Sequence, residues 1–120
     1  LEQGELEMFI EHYEFGKVLI DGISYTSDII IYPDHIEDDW WREEGHQLNI
    51  SDIIEIIEVK PKVLIVGTGA YGMMTVSSEV ERYLRENGVQ LIAETTDRAI
   101  EIYNQTTDKS KVVCALHLTC

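Results

Sequence analysis

The sequence predicts an α/β domain with parallel core strands and helices, extended by an N-terminal β-hairpin region. Three observations predict it. From Ser51 onward, apolar strand-like runs alternate with amphipathic helical segments. Before that point, β-branched runs flank an Asp-Gly pair. The last apolar run, "KVVCALHL", is nearly continuous, as a strand buried on both faces must be.

Residues 1–8 are read as a tail or appended segment and 9–120 as one domain. "LEQGELE" has no period, and Met8 offers a native start. In "FGKVLIDGISYTSDIIIYP", Asp21-Gly22 marks a hairpin turn. Pro33 then ends the "DIIIY" strand, because it has no N–H to give a ladder. Segment 34–49, "DHIEDDWWREEGHQLN", is acidic and aromatic and reads as loop with one or two short strands.

"SDIIEIIEVK" predicts a helix capped by Ser51, burying Ile53, Ile54 and Ile57, and stopped by Pro61. "KVLIVG" is a buried strand. "SSEVERYLRENG" predicts a helix from Ser78, with a capping box from Ser78 to Glu81 and Gly88 just past its end. "QLIAET" is a strand, and "TDRAIEIYNQ" a helix with Thr96 as its cap. Tyr103 and Asn104 read as a packed aromatic and a helix stop. Short connections make the three strands parallel and their crossovers right-handed.

Composition narrows the function. The 120 residues include sixteen isoleucines, enough to close one core. A net charge of −14, with nine Lys and Arg, repels phosphate backbones and argues against nucleic acid. It favours basic partners. No apolar run approaches the ~20 residues of a membrane span, and no signal-peptide pattern is present. Cys114 and Cys120, in or just past one strand, would sit about 20 Å apart, too far for a bridge. A cytoplasmic, reducing setting is expected.

"VLIVGTGAYG" carries Gly67, Gly69 and Gly72 in dinucleotide-turn spacing, with Glu94 near the end of the next strand to meet a ribose. The turn, however, is followed by "MMTV", and the helix begins only at Ser78. A pyrophosphate on the glycines would miss the helix N-terminus. No cofactor is expected, and the glycines read as a tight strand exit. Neither a P-loop nor a nucleophile elbow is spelled. The four histidines and two cysteines lack ligand spacing, so no metal is expected.

Ligands of open α/β sheets bind where the strands end. That edge would gather Gly67, Thr68 and Gly69, then Thr95, then His117. In "WWREEGH", extended backbone would point Trp40 and Trp41 opposite ways. Arg42 reads either as satisfied by Asp38, Asp39, Glu43 and Glu44 or as a fork for a ligand carboxylate or phosphate. His46 beside it could move a proton near neutral pH. The candidate ligand-binding set is therefore Trp41, Arg42, His46, Gly67, Thr68, Gly69, Thr95 and His117.

Together, "DIIIY", "WWREEGH", "KVLIVGTGAYG", "TTDRAIEIYN" and "VVCALHLTC" resemble a small archaeal, bacterial and eukaryotic family of unknown function. The resemblance covers residues 9–120. It implies a three-layer α/β fold and brings no reaction, substrate or cofactor. It implies relatives that include a mitochondrial complex I assembly factor and an adipogenesis-associated protein. Its matching positions are Trp41, Arg42, Gly45, His46, Gly67, Thr68, Gly69, Thr95, Tyr103, Asn104 and His117. The opening residues are not a basic presequence, so the assembly role is not expected to carry over directly. Two functions follow as expectations. The first is a non-enzymatic protein-binding or assembly module with a protein partner or a second copy of itself. The alternative is a binder or enzyme for a small anion at the strand-end cleft.

Overall fold

The computed structural model describes residues 8–120. Its first three strands form an antiparallel meander: β1 (Ile10–Glu14), β2 (Lys17–Ile20) and β3 (Ile23–Tyr25). Between β2 and β3, Asp21 and Gly22 both take positive φ, 49° and 84°, the conformation a two-residue hairpin turn requires. β4 (Ile29–Ile31), β5 (Ile36–Glu37) and β6 (Gln47–Leu48) follow. A 3-10 turn at Ile50–Asp52 leads into α1 (Ile54–Glu58). Then come β7 (Val63–Gly67), β8 (Thr75–Val76), α2 (Ser78–Glu86), β9 (Gln90–Glu94), α3 (Thr96–Gln105) and β10 (Val112–Leu116).

The central sheet has the order β5-β4-β10-β7-β9. β10, β7 and β9 are parallel, with Ile65 in register with Cys114 on one side and Ile92 on the other. The parallel core is therefore as the alternation predicts. Its extension is not. The hairpin strands form a sheet of their own, and β4 is the strand that joins β10, antiparallel, pairing Ile30 with Ala115. The cause is patterning. β4 is buried at all three residues and suits a sheet interior, whereas β2 buries chiefly Val18 and Ile20 and suits a layer laid over one face.

The pleat divides the core in two. Ile29, Ile31, Ile65, Cys114 and Leu116 face the meander and α3, meeting Ile10, Val18, Ile20, Ala99, Ile100 and Tyr103. Ile30, Leu64, Val66, Val113 and Ala115 face the other way, onto Ile53, Ile56, Val80 and Leu84. Three layers result. Met8, which the tail reading includes, is buried in the first cluster. Residues 1–7 lie outside the described part. Burial pushes the Cys114 thiol up, and both cysteines are free.

Helix caps depart from expectation by one or two residues. Asn49, not Ser51, opens the first helical segment, its N–H donating to Asp52 Oδ2 at 2.8 Å. The intervening 3-10 turn changes the phase, so Ile53 and Ile56 are buried while Ile54 is exposed. α2 is capped by Ser77, whose Oγ accepts from Val80 N at 3.2 Å, in place of the box from Ser78. Gly88, with φ 74°, follows the helix as predicted. α3 is capped at Thr95, leaving Thr96 inside the first turn. Asn104 is not the stop, since α3 runs on to Gln105 and is capped at Thr106; its side chain instead accepts from Ile10 N and donates to Ile10 O, tying α3 to β1.

Candidate functional site

The parallel strands deliver Gly67, Glu94 and Leu116 to one edge. Residues 117–120 continue from β10 across the glycine turn. His117 N donates to Gly67 O at 3.0 Å, Ala70 N to Thr119 O at 2.6 Å, and Met73 N to Cys120 O at 3.0 Å. Gly69 has φ 111°, and a Cβ there would meet Thr119 O at 2.9 Å and the Cys120 backbone. A Cβ on Gly67 would press into Leu116 and Thr96. These glycines permit the close approach of two protein segments.

Hydroxyls at the edge are likewise committed. Thr68 Oγ1 donates to Glu94 O, and Thr95 Oγ1 to Asp97 Oδ1. Thr96 Oγ1 accepts from Gly69 N at 2.9 Å and donates to His117 O at 2.6 Å, stapling turn, helix and tail in a fully buried position. Among the described residues, Tyr71 is the one position from Thr68 to Met74 whose N–H has no protein acceptor. A phosphate cradle needs several such groups pointing outward. Here they point into the fold.

Beside this edge lies a buried ionic cluster. Arg42 Nη1 is 2.8 Å from Asp28 Oδ2, and its side chain is only 5% exposed. His117, 7% exposed, places Nδ1 2.8 Å from the same oxygen. Asp28 Oδ1 accepts from Leu118 N at 2.8 Å. Arg42 Nη2 donates to Gly45 O, and the guanidinium lies 4.7 Å from the Trp40 ring centroid. Thus the carboxylate that holds Arg42 is Asp28, from the loop before β4, rather than Asp38, Asp39, Glu43 or Glu44.

The geometry fixes the tautomer of a neutral His117. Nδ1 also lies 3.1 Å from Arg42 Nη2, which can only donate. A lone pair on Nδ1 could accept from that group, but it would then face an ionised carboxylate oxygen at 2.8 Å without a proton between them. The proton therefore sits on Nδ1 and is donated to Asp28, leaving Nε2 as the acceptor. His117 Nε2 and Arg42 Nε are buried, and neither has a hydrogen-bond partner among the described residues. Burial pushes the Asp28 carboxyl up. Hydrogen bonds from His117, Leu118 N–H and Arg42 outweigh it and leave its pKa below the usual value of 3.8.

The fold brings Arg42, His46 and His117 together: the His46 ring centroid is 6.3 Å from that of His117, and His46 is exposed. Gly67 O accepts from His117 N, Gly69 N reaches His117 O through the Thr96 hydroxyl, and Thr68 bonds to Glu94 and Met74 instead. Thr95 stands beside Gly72 on the rim, within 3.4 Å of where that glycine's Cβ would be. Trp40 is buried while Trp41 turns outward, the opposite orientations that alternation predicts. Asp28 was not singled out by the sequence pattern. Its only signal is a polar residue immediately before the "IIIY" run.

Around the tail the surface is apolar. Phe15 is 54% exposed, Tyr71 72% and Met73 52%. The Phe15 and Tyr71 rings lie 6.2 Å apart, and Gly16 N donates to Leu118 O, which holds the β1–β2 turn against the tail. No helix among the described residues is long and apolar enough to cross a membrane.

A family model described as a protein of unknown function (DUF498/DUF598) matches residues 10–117. The chain is 29% identical to a conserved hypothetical protein from Pyrococcus horikoshii OT3, with a TM-score of 0.81 over 94% of this chain and 100% of that one. A Xanthomonas campestris protein, 19% identical, shares the fold with a TM-score of 0.82, covering 98% of this chain and 89% of the other. A Mth938-like domain from Bordetella pertussis, also 19% identical, gives 0.69 over 98% and 91%.

Proposed function

The chain belongs to the DUF498/DUF598 family, and from that premise we propose that it is a non-enzymatic protein-binding or assembly module. Its contact face is the strand-end edge. The observation that carries the proposal is the Phe15–Tyr71 pair, two large rings in mutual contact and both more than half exposed. Water gains where such a patch is covered, and aromatic side chains with Met dominate the centres of protein interfaces. Met73 extends the patch, and the tail under it supplies a rigid floor.

The test is a photo-crosslinking phenylalanine analogue placed at Tyr71 and, as a control, at Ile23, an exposed apolar position on β3. In the native cell, adducts of defined mass form from position 71 and not from 23. An adduct of twice the chain's mass identifies a second copy as the partner. Equal or absent labelling at both positions overturns the proposal.

A second reading is favoured by the two unpartnered nitrogens, His117 Nε2 and Arg42 Nε. Buried polar groups are ordinarily satisfied, so a small polar or anionic ligand would find a donor and an acceptor there, with His46 at the entrance. Thermal-shift screening against carboxylic acids and phosphates tests it. Melting curves that stay flat at concentrations about 100 times a useful dissociation constant, where about 2.7 kcal/mol is expected, exclude it.

A further inference from the structure

On the α1 side of the central sheet, Trp41 and Ile54 wall a groove of about 400 Å³. Trp41 is 77% exposed. Trp40 forms part of the floor, with one face already covered by Arg42. The carboxylates of Glu37, Asp39 and Glu55 line the same groove, and among the described residues none of the three is paired with a cation. Among the described residues, no Lys, Arg or His lines it. A fourth carboxylate, Asp52, is spent on the backbone N–H groups of Glu43 and Asn49.

We propose that this groove docks an arginine- or lysine-bearing segment of a partner protein, the cation seated over Trp41 and flanked by Glu37, Asp39 and Glu55. Charge complementarity selects the occupant. An exposed indole that shares a groove with three carboxylates attracts a cation through its ring face and its surroundings together. Acidic peptides and phosphates are repelled by the same carboxylates. Ile54 gives the apolar stem of the basic side chain a surface to cover. An overall charge of −14 steers basic partners towards the protein, and the groove supplies the place where one is held. The proposal stands apart from the rim reading and is tested with different variants.

The probes are short synthetic peptides carrying two arginines at varied spacing, against the same peptides with citrulline, the neutral isostere. Binding is followed by tryptophan fluorescence and calorimetry. At least one arginine peptide binds, and its citrulline twin is weaker by about tenfold or more. Trp41→Ser, an exposed substitution, lowers affinity by a similar factor, and so does the triple variant Glu37→Gln/Asp39→Asn/Glu55→Gln. Asn suits the positive φ of Asp39, 60°, so the triple variant keeps its backbone. A control with equal charge removal, Glu79→Gln/Glu86→Gln/Glu101→Gln on α2 and α3, changes affinity less than about twofold. The proposal is overturned if the control weakens binding as much as the groove variant, which would mean diffuse attraction to an acidic protein. It is equally overturned if no arginine peptide binds at about 1 mM.

Discussion

Asp28 and His117, 89 residues apart, share a 2.8 Å contact in which the carboxylate orients the imidazole and neutralises Arg42 at the same time. One side chain thereby joins the start of β4 to the end of β10 and anchors the "WWREEGH" loop. Removing its charge leaves a buried guanidinium without a counter-ion. Asp28→Asn is expected to cost about 3 kcal/mol, read as a lower denaturant midpoint with unchanged slope. Asp38→Asn, on the exposed loop, stays within about 0.5 kcal/mol.

The pH dependence of that contact has a definite sign. Because the folded pKa of Asp28 is lowered, its stabilisation is fully present above the usual value of 3.8 and is lost as pH falls through the depressed folded value. The stability difference between wild type and Asp28→Asn is therefore expected to be constant near about pH 6 and to shrink below about pH 4. A difference that grows on acidification would contradict the assignment.

Thr96 offers a cleaner test of how the edge is closed. Thr96→Val keeps the shape but orphans Gly69 N–H and His117 C=O, at an expected cost of about 3 kcal/mol. Thr96→Ser keeps both hydrogen bonds and loses about 1 kcal/mol for its methyl group. Equal effects of the two would mean that packing, not the hydroxyl, holds turn and tail together.

Two glycines with positive φ are expected to separate. Gly22→Ala meets no atom and costs about 1 kcal/mol for its backbone conformation alone. Gly69→Ala must also displace the backbone of Thr119 and Cys120, and is expected to cost about 3 kcal/mol or more. Thermal unfolding of the two variants side by side checks the ranking.

What could be read from the sequence was local. The Asp21-Gly22 turn, the parallel strands beginning near Lys62, Gln90 and Lys111, and the opposed tryptophans all follow from neighbours within a few residues. Cap positions slipped by one residue because adjacent hydroxyls compete: Ser77 against Ser78, Thr95 against Thr96. Asp28 escaped notice because its partners come from distant segments, while Arg42 has four nearer carboxylates in sequence that solvent makes poor rivals. The placement of residues 117–120 over Gly69 was equally hidden, since it depends on the β10–β7 register.

The most direct measurement of the central claim is quantitative affinity capture from native lysate by wild type and by Phe15→Ser/Tyr71→Ser. Both positions are exposed, so the double variant is expected to unfold within about 0.5 kcal/mol per site of wild type. If the strand-end rim is the contact face, proteins enriched by wild type fall by about tenfold with the variant, as loss of two central aromatic contacts implies. Undiminished capture by a folded double variant would contradict the account.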